Sequence, residues 1–385
     1  MSTTIASPSG FFGDFHSGFA DLVPPAVVDH ALLLMGPRGT GRPKLSVYEW
    51  IMALAYHALT RRGTFAASVR ALTKATVSDA ALSMRKASYG WELLAHLLPR
   101  VLRPIADPAL DAEAFRGGLR LVAIDGTRFS LRNTPAISAA TVKPKSGRGG
   151  APCAFAPLLC SVLLEPGTHC PLALSMGWDG EGEPTLVRDL FDALPLRSLL
   201  LADRLYGSPW LLWDLAPALK SRESYFLVRV RDNIRAEAVS RLSDGSWLVE
   251  VPARDPDTGA VAGTLTLREI HARITVEGEA APRSIRLWTS LADAESHPAM
   301  ELVRLYARRR ELKSHIHGAA GLLQAQTIDD AAHEVMALML AAACWPGNGG
   351  EWPPGPGFRC CASASRRCST ARKAFSRCWR PERAC

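Results

Sequence analysis

Two unbroken apolar runs, Leu121-Val-Ala-Ile124 and Leu199-Leu-Leu-Ala202, each lead directly into an aspartate, Asp125 and Asp203. Runs of this length without polar alternation suit strands that are covered on both faces, the pattern of a mixed or parallel sheet packed between helices. A carboxylate at the end of such a strand is held at the margin of the sheet, and two of them on neighbouring strands form an oxygen-rich site for a hard divalent cation such as Mg²⁺ or Mn²⁺. Singly, each aspartate has a plainer reading. Asp125-Gly-Thr127 is also a turn sequence, and Asp203 could cap the segment that follows it.

The rest of the chain divides around these strands. Residues 1–105 read as helical: Ser46-Val-Tyr-Glu49 is a capping box opening a helix that runs to about Leu59. Three shorter helices are expected at Thr64–Thr73, Ser78–Ala87 and Trp91–Leu102. The first two, joined by a tight turn, have the form of a helix-turn-helix, with Ser83, Arg85 and Lys86 on the second helix available to a major groove; an ordinary helical hairpin has the same pattern.

From Leu119 the pattern becomes β-like. Leu119–Ile124, Phe155–Leu164, Leu172–Met176 and Ser198–Leu201 are expected strands, with Glu183–Leu194 as an intervening helix, giving an α/β core over residues 106–343. The loop from Lys143 to Gly150 carries Lys143, Lys145 and Arg148, which could contact phosphates or simply be solvated. After an expected helix at Trp210–Leu219, strands at Tyr225–Val230, Trp247–Val251, Thr264–Leu267 and Ile285–Thr289 mark a β-rich insertion at about 222–298. Its charges, Asp232 and Arg235 among them, are expected at the surface.

Composition limits the classes further. The longest apolar stretches are too short for a bilayer, which needs about 20 apolar residues, so the chain reads as cytosolic and membrane-independent. The net charge of +8 is unevenly placed: residues 344–385 hold eight basic and two acidic residues, leaving +2 for all that precedes them. Bulk charge is therefore weak support for nucleic-acid binding by the folded part. Six of the nine cysteines fall in the same tail, in spacings that match no zinc pattern.

Taken in order, Ala123-Ile-Asp-Gly-Thr127, Leu201-Ala-Asp-Arg-Leu-Tyr-Gly207, a β insertion, and Leu305-Tyr-Ala-Arg-Arg309 with Glu311-Leu-Lys313 resemble the DDE transposases of bacterial insertion sequences, in particular the insertion-sequence-four group. Phe12-Gly-Asp-Phe15 and Gly41-Arg-Pro-Lys-Leu-Ser46 are similar to the helical domain that precedes the catalytic domain there. The likeness spans about residues 10–343. It implies a ribonuclease-H-like mixed-sheet core with a β-rich insertion and an all-α N-terminal DNA-binding domain. It also implies Mg²⁺- or Mn²⁺-dependent cleavage and transfer of double-stranded DNA at element ends and target, and a homodimer assembled on that DNA at the nucleoid. Carried over, Asp125 and Asp203 match the first two metal-binding carboxylates, and Tyr306 and Arg309 match the start of the third motif, whose basic and aromatic groups hold the DNA end.

That third motif departs from the pattern. Four residues beyond Arg309, where the family has glutamate, stands Lys313, as though about seven residues were missing; seven residues are nearly two turns, so the helix would keep its register. Glu311 is the nearest substitute, but at about 100° per residue it lies about 140° round the helix from Tyr306. Glu301 and Asp179 are the next carboxylates to consider. Past the expected core helix Leu338–Ala343, the run from Cys344 to Cys385 is rich in Pro, Gly, Arg, Ser and Cys without periodicity. It reads either as an out-of-frame translation or as a basic DNA-binding tail.

Overall fold

A computed structural model of the chain describes residues 8–36, 44–60, 63–144, 150, 152–274, 282–307, 321 and 323–344. Six helices come first: α1 Pro8–Leu22, α2 Pro25–Leu34, α3 Val47–Thr60, α4 Phe65–Thr73, α5 Asp79–Tyr89 and α6 Glu92–Val101. The capping box forms as its spacing requires. Glu49 N–H donates to Ser46 Oγ at 3.1 Å, and Ser46 N–H donates to the Glu49 carboxylate at 2.8 Å. Thr64 and Ser78 cap α4 and α5 by accepting from the amides of Ala67 and Ala81, so the expected short helical hairpin is present.

The sheet begins with β1 Phe115–Arg116 and β2 Leu119–Ser130, and continues through β3 Pro157–Glu165, β4 Cys170–Gly177, β5 Ser198–Ala202 and β6 Tyr225–Arg229. Four more strands follow: β7 Glu237–Arg241, β8 Trp247–Arg254, β9 Val261–Ile274 and β10 Arg283–Thr289. Their spatial order is β4-β3-β2-β5-β6-β10-β9-β8-β7, with β1 pairing β2 off this path. β2, β3 and β4 form an antiparallel meander, while β5 and β6 run parallel to β2. The β-rich segment continues this same sheet, because β10 pairs antiparallel with β6 and β9, β8 and β7 follow outward.

Helices cover both faces of the first strands, as unbroken apolar runs demand. On one face Val122, Ile124, Leu200 and Phe226 pack against a 3₁₀ segment, Val187–Ala193, and against α9 Pro209–Ser221. On the other face Leu121, Ala123, Leu199 and Leu201 pack against Leu302, Val303 and Leu305 of α10, helical over residues 299–307. Farther along this second face, Phe129, Leu131, Cys160 and Val162 share a core with α11 Ile328–Cys344 and with the N-terminal helices. A short helix α7, Pro135–Ala140, also contributes Ile137 to that core.

Three expectations need revision. Glu183–Leu194 is a single short turn, α8 Glu183–Leu186, followed by 3₁₀ geometry. β7 gives no apolar signal because every residue of it is exposed at the edge of the sheet. The charges of the insertion are not all at the surface. Asp232 and Arg235 are exposed, but Arg268 is fully buried and Glu269 nearly so, each satisfied by partners from distant sequence. Arg268 donates to Ser246, Asp244 and the carbonyls of Leu291 and His297, and Glu269 accepts from Arg286 and Trp288. Among the described residues no helix is long and apolar enough to cross a membrane.

Candidate functional site

Strand register brings the two aspartates together. β2 and β5 pair in parallel up to Ala123 opposite Leu201, and two residues further on each strand are Asp125 and Asp203. Adjacent strands lie about 4.8 Å apart, so the two residues follow the paired stretch at one level of the sheet. Asp125 is buried at 6% exposure on an interior strand and, contrary to expectation, in mid-strand, since β2 runs on to Ser130; Asp203 is half-buried just past the end of β5, as expected. One Asp203 oxygen accepts the Leu205 amide at 2.8 Å, closing the turn.

Alternation along β2 explains why Asp125 is tolerated there. Leu121 and Ala123 face α10, while Phe129 and Leu131 face α11 and the N-terminal helices. Asp125 and Thr127 share that face and fall between the two apolar clusters. Thr127 Oγ1 is buried and has no hydrogen-bond partner among the described residues, two positions from the aspartate. Tyr306, at the start of the third motif and half-buried, packs with the apolar cluster on the α10 side of this gap.

Sequence reasoning missed a third acid in this neighbourhood. Glu183, at the start of α8, lies so close over Gly126 that a Cβ there would overlap its carboxyl group. Tyr206, a residue 3% exposed and three positions beyond Asp203, donates through its hydroxyl to Glu183 at 3.1 Å. Burial raises the Glu183 pKa above the usual carboxylate range. The Tyr206 hydrogen bond and Arg128 oppose this, while Asp203 and Asp125 add to it. The signal open to inspection was the pair of small or specialised residues around it: Gly126 beside the first aspartate, and Tyr206-Gly207 after the second. Gly207 is needed for its own reason, since a Cβ there would collide with the Arg229 carbonyl.

The remaining expected residues are dispersed. Arg85 donates to the Leu45 carbonyl at 2.6 Å and lies over the Tyr89 ring, and Lys86 pairs with Asp330 at 2.6 Å, so both basic groups of α5 are engaged inside the fold. Lys143 donates to the Ala154 carbonyl at 3.3 Å. Glu301 forms an ion pair with Arg116, beside the start of β2 and away from Asp125, and Asp179 is exposed in a loop. Arg309, Glu311, Lys313, Lys145, Arg148 and the tail from 345 onward lie outside the described residues.

The donors present suit a hard divalent cation in kind: two aspartates at one level of the sheet, and a hydroxyl without a partner among the described residues, which a hydrated ion could satisfy. Among the described residues no group of three or more histidine, cysteine, aspartate or glutamate side chains is arranged to hold a metal ion. Comparison of the chain with models of protein families and with curated proteins gave no match.

Proposed function

We propose that this chain is a DDE-type transposase, possessing a ribonuclease-H-like core and acting on the double-stranded DNA of its own element, with Asp125 and Asp203 as two of the metal-binding carboxylates. The observation that carries the reading is the sheet itself. A three-stranded antiparallel meander followed by two strands parallel to its first, in the order β4-β3-β2-β5-β6, with acids on β2 and just after β5, supports this reading. The position of α10 supports it too, since that helix covers the face to which Asp125 belongs and carries Tyr306.

A Mg²⁺ or Mn²⁺ ion at this site would activate an attacking water or 3′-hydroxyl and stabilise the leaving oxygen in phosphodiester displacement. The protein's own contribution is to fix two carboxylates on rigid strands and to wall the site with the apolar clusters on either side. The N-terminal helices and Tyr306 are assigned to the DNA, and a homodimer on paired ends follows from the family likeness. A second reading, a DNA-binding remnant without cleavage, is favoured by Lys313 at the register of the third carboxylate, because an ammonium there opposes divalent metal.

The test is a nicking and joining assay on the element's terminal DNA with Mn²⁺, comparing the natural chain with Asp125→Ala. Cleavage and joining that need both metal and Asp125 are expected. Binding without cleavage would replace this reading by the remnant, and cleavage without joining would make the chain a nuclease on the same core.

A further inference from the structure

Glu183 touches both elements that carry the candidate metal ligands, and does so from the opposite side of the sheet. Gly126 points away from the face of Asp125, toward the side of Val122 and Ile124 where the 3₁₀ segment and α9 pack. The Glu183 carboxyl fills the space left by the missing Cβ, so it bears on β2 directly behind Asp125. Its other contact, the Tyr206 hydroxyl at 3.1 Å, belongs to the turn that starts at Asp203. That turn has little freedom elsewhere, since Asp203 accepts from Leu205, the Tyr206 amide donates to the Asp203 carbonyl at 3.1 Å, and Gly207 is pressed on the Arg229 carbonyl.

We propose that Glu183 and Tyr206 form a strut between β2 and the Asp203 turn, a positioning pair that sets the separation of Asp125 and Asp203 without itself binding the cation. The inference rests on the metal site proposed above and adds the residues that hold it in shape. A ligand role for Glu183 would require its carboxyl on the Asp125 face, whereas the contact with Gly126 places it on the other. A strut needs only an acceptor of the right length, which a protonated or an ionised carboxyl both provide. Supporting partners of this kind typically change metal affinity by roughly 10–100-fold when removed.

The experiment is calorimetric titration of Mn²⁺ into the full chain and into Glu183→Gln, Glu183→Ala, Tyr206→Phe and Asp125→Ala variants, with circular dichroism to establish that each is folded. Glutamine keeps the size and the acceptor oxygen, so Glu183→Gln is expected to bind Mn²⁺ as the natural chain does. Glu183→Ala and Tyr206→Phe are each expected to bind roughly tenfold or more weakly. If Glu183→Ala does not fold, Gly126→Ala replaces it, because the added methyl displaces the carboxyl while keeping every hydrogen-bonding group; the same loss is expected. Natural affinity in Glu183→Ala, or in Tyr206→Phe, overturns the strut. So does a Glu183→Gln variant as weak as Glu183→Ala, which would make the carboxylate charge a ligand. These failures leave Asp125-dependent binding in place. A natural chain that binds no Mn²⁺, or binds it equally well with Asp125→Ala, overturns the metal site and the strut together.

Discussion

His333 shows how far a single residue's behaviour departs from its ordinary chemistry. It sits on α11 at 1% exposure with its ring 5.4 Å from that of Trp50, and among the described residues neither His333 Nε2 nor Trp50 Nε1 has a hydrogen-bond partner. Burial pushes the His333 pKa down to about 3, with Lys86 adding to the effect and Asp330 opposing it. An unfolded histidine titrates near about 6.5, so the unfolded chain takes up this proton first. The stability associated with neutral His333 is therefore complete above pH ~6.5 and is lost as pH falls from there toward 3. Urea unfolding followed by tryptophan fluorescence should show stability falling between pH 6 and pH 5, and His333→Leu should remove up to about 1.4 kcal/mol per pH unit of that slope. His57 and His297, lowered chiefly by burial as well, contribute slope of the same sign, so the flattening is partial. Equal slopes in the two proteins would assign the effect elsewhere. At this scale the apolar run foretold the place of Asp203, just past the end of its strand, but not that of Asp125, which lies in mid-strand because β2 continues through Gly126 and Thr127 to Ser130. The sequence was silent on Glu183, whose role depends on a glycine 57 positions earlier in the chain and a tyrosine 23 positions later.

At the scale of elements, apolar periodicity located most of the strands, and cap residues located the helix starts. It failed where burial is achieved by charge. Arg268 on β9 has no exposed surface, yet its guanidinium joins the Asp244 turn to the segment that leads into α10 through the carbonyls of Leu291 and His297. Asp244 also accepts the Ala299 amide at 2.7 Å, at the first turn of α10. Burial works against ionised Asp244, but hydrogen bonds from Ser246 and Ala299 together with Arg268 hold its carboxyl below the usual range. No window of sequence around Arg268 could reveal partners that lie 22–29 positions away. Removing one member of a buried pair leaves the other uncompensated, at a cost of about 3–5 kcal/mol. Asp244 retains 16% side-chain exposure, so the lower end of that range is expected for Arg268→Ala, about 3 kcal/mol by urea denaturation. A loss below about 1 kcal/mol would mean that α10 is held in place by its apolar face alone.

At the scale of the whole molecule, the N-terminal helices are part of the same core as the sheet. Phe15, Phe19, Trp50, Ile51, Leu59, Leu93 and Leu97 belong to one buried cluster with Phe129, Leu158 and Val162 of the sheet and with Val335, Leu338 and Leu340 of α11. α11 is buried along most of its length, and α3 and α6 supply much of what covers it. Composition could divide the chain at about residue 105, because helical and β-like patterns change there, but it could not show which surfaces the two parts present to each other. Glu165 reinforces the join: fully buried in β3, it accepts the amides of Ile105 and Ala106 at 3.2 and 2.8 Å and pairs with Arg120. A chain beginning at residue 106 would expose one side of α11 and the Phe129–Val162 face of the sheet, and would strip Glu165 of the Ile105 amide. Burial of apolar area contributes about 25 cal/mol per Å², so exposing this many large side chains outweighs the net stability of a typical domain. The expected outcome is that residues 106–344 alone show no cooperative thermal transition, whereas the full chain unfolds with α11 and the N-terminal helices in one step. A sharp transition in the shortened chain, at a temperature near that of the full one, would show instead that the sheet and α11 form a self-sufficient core onto which the helices merely dock.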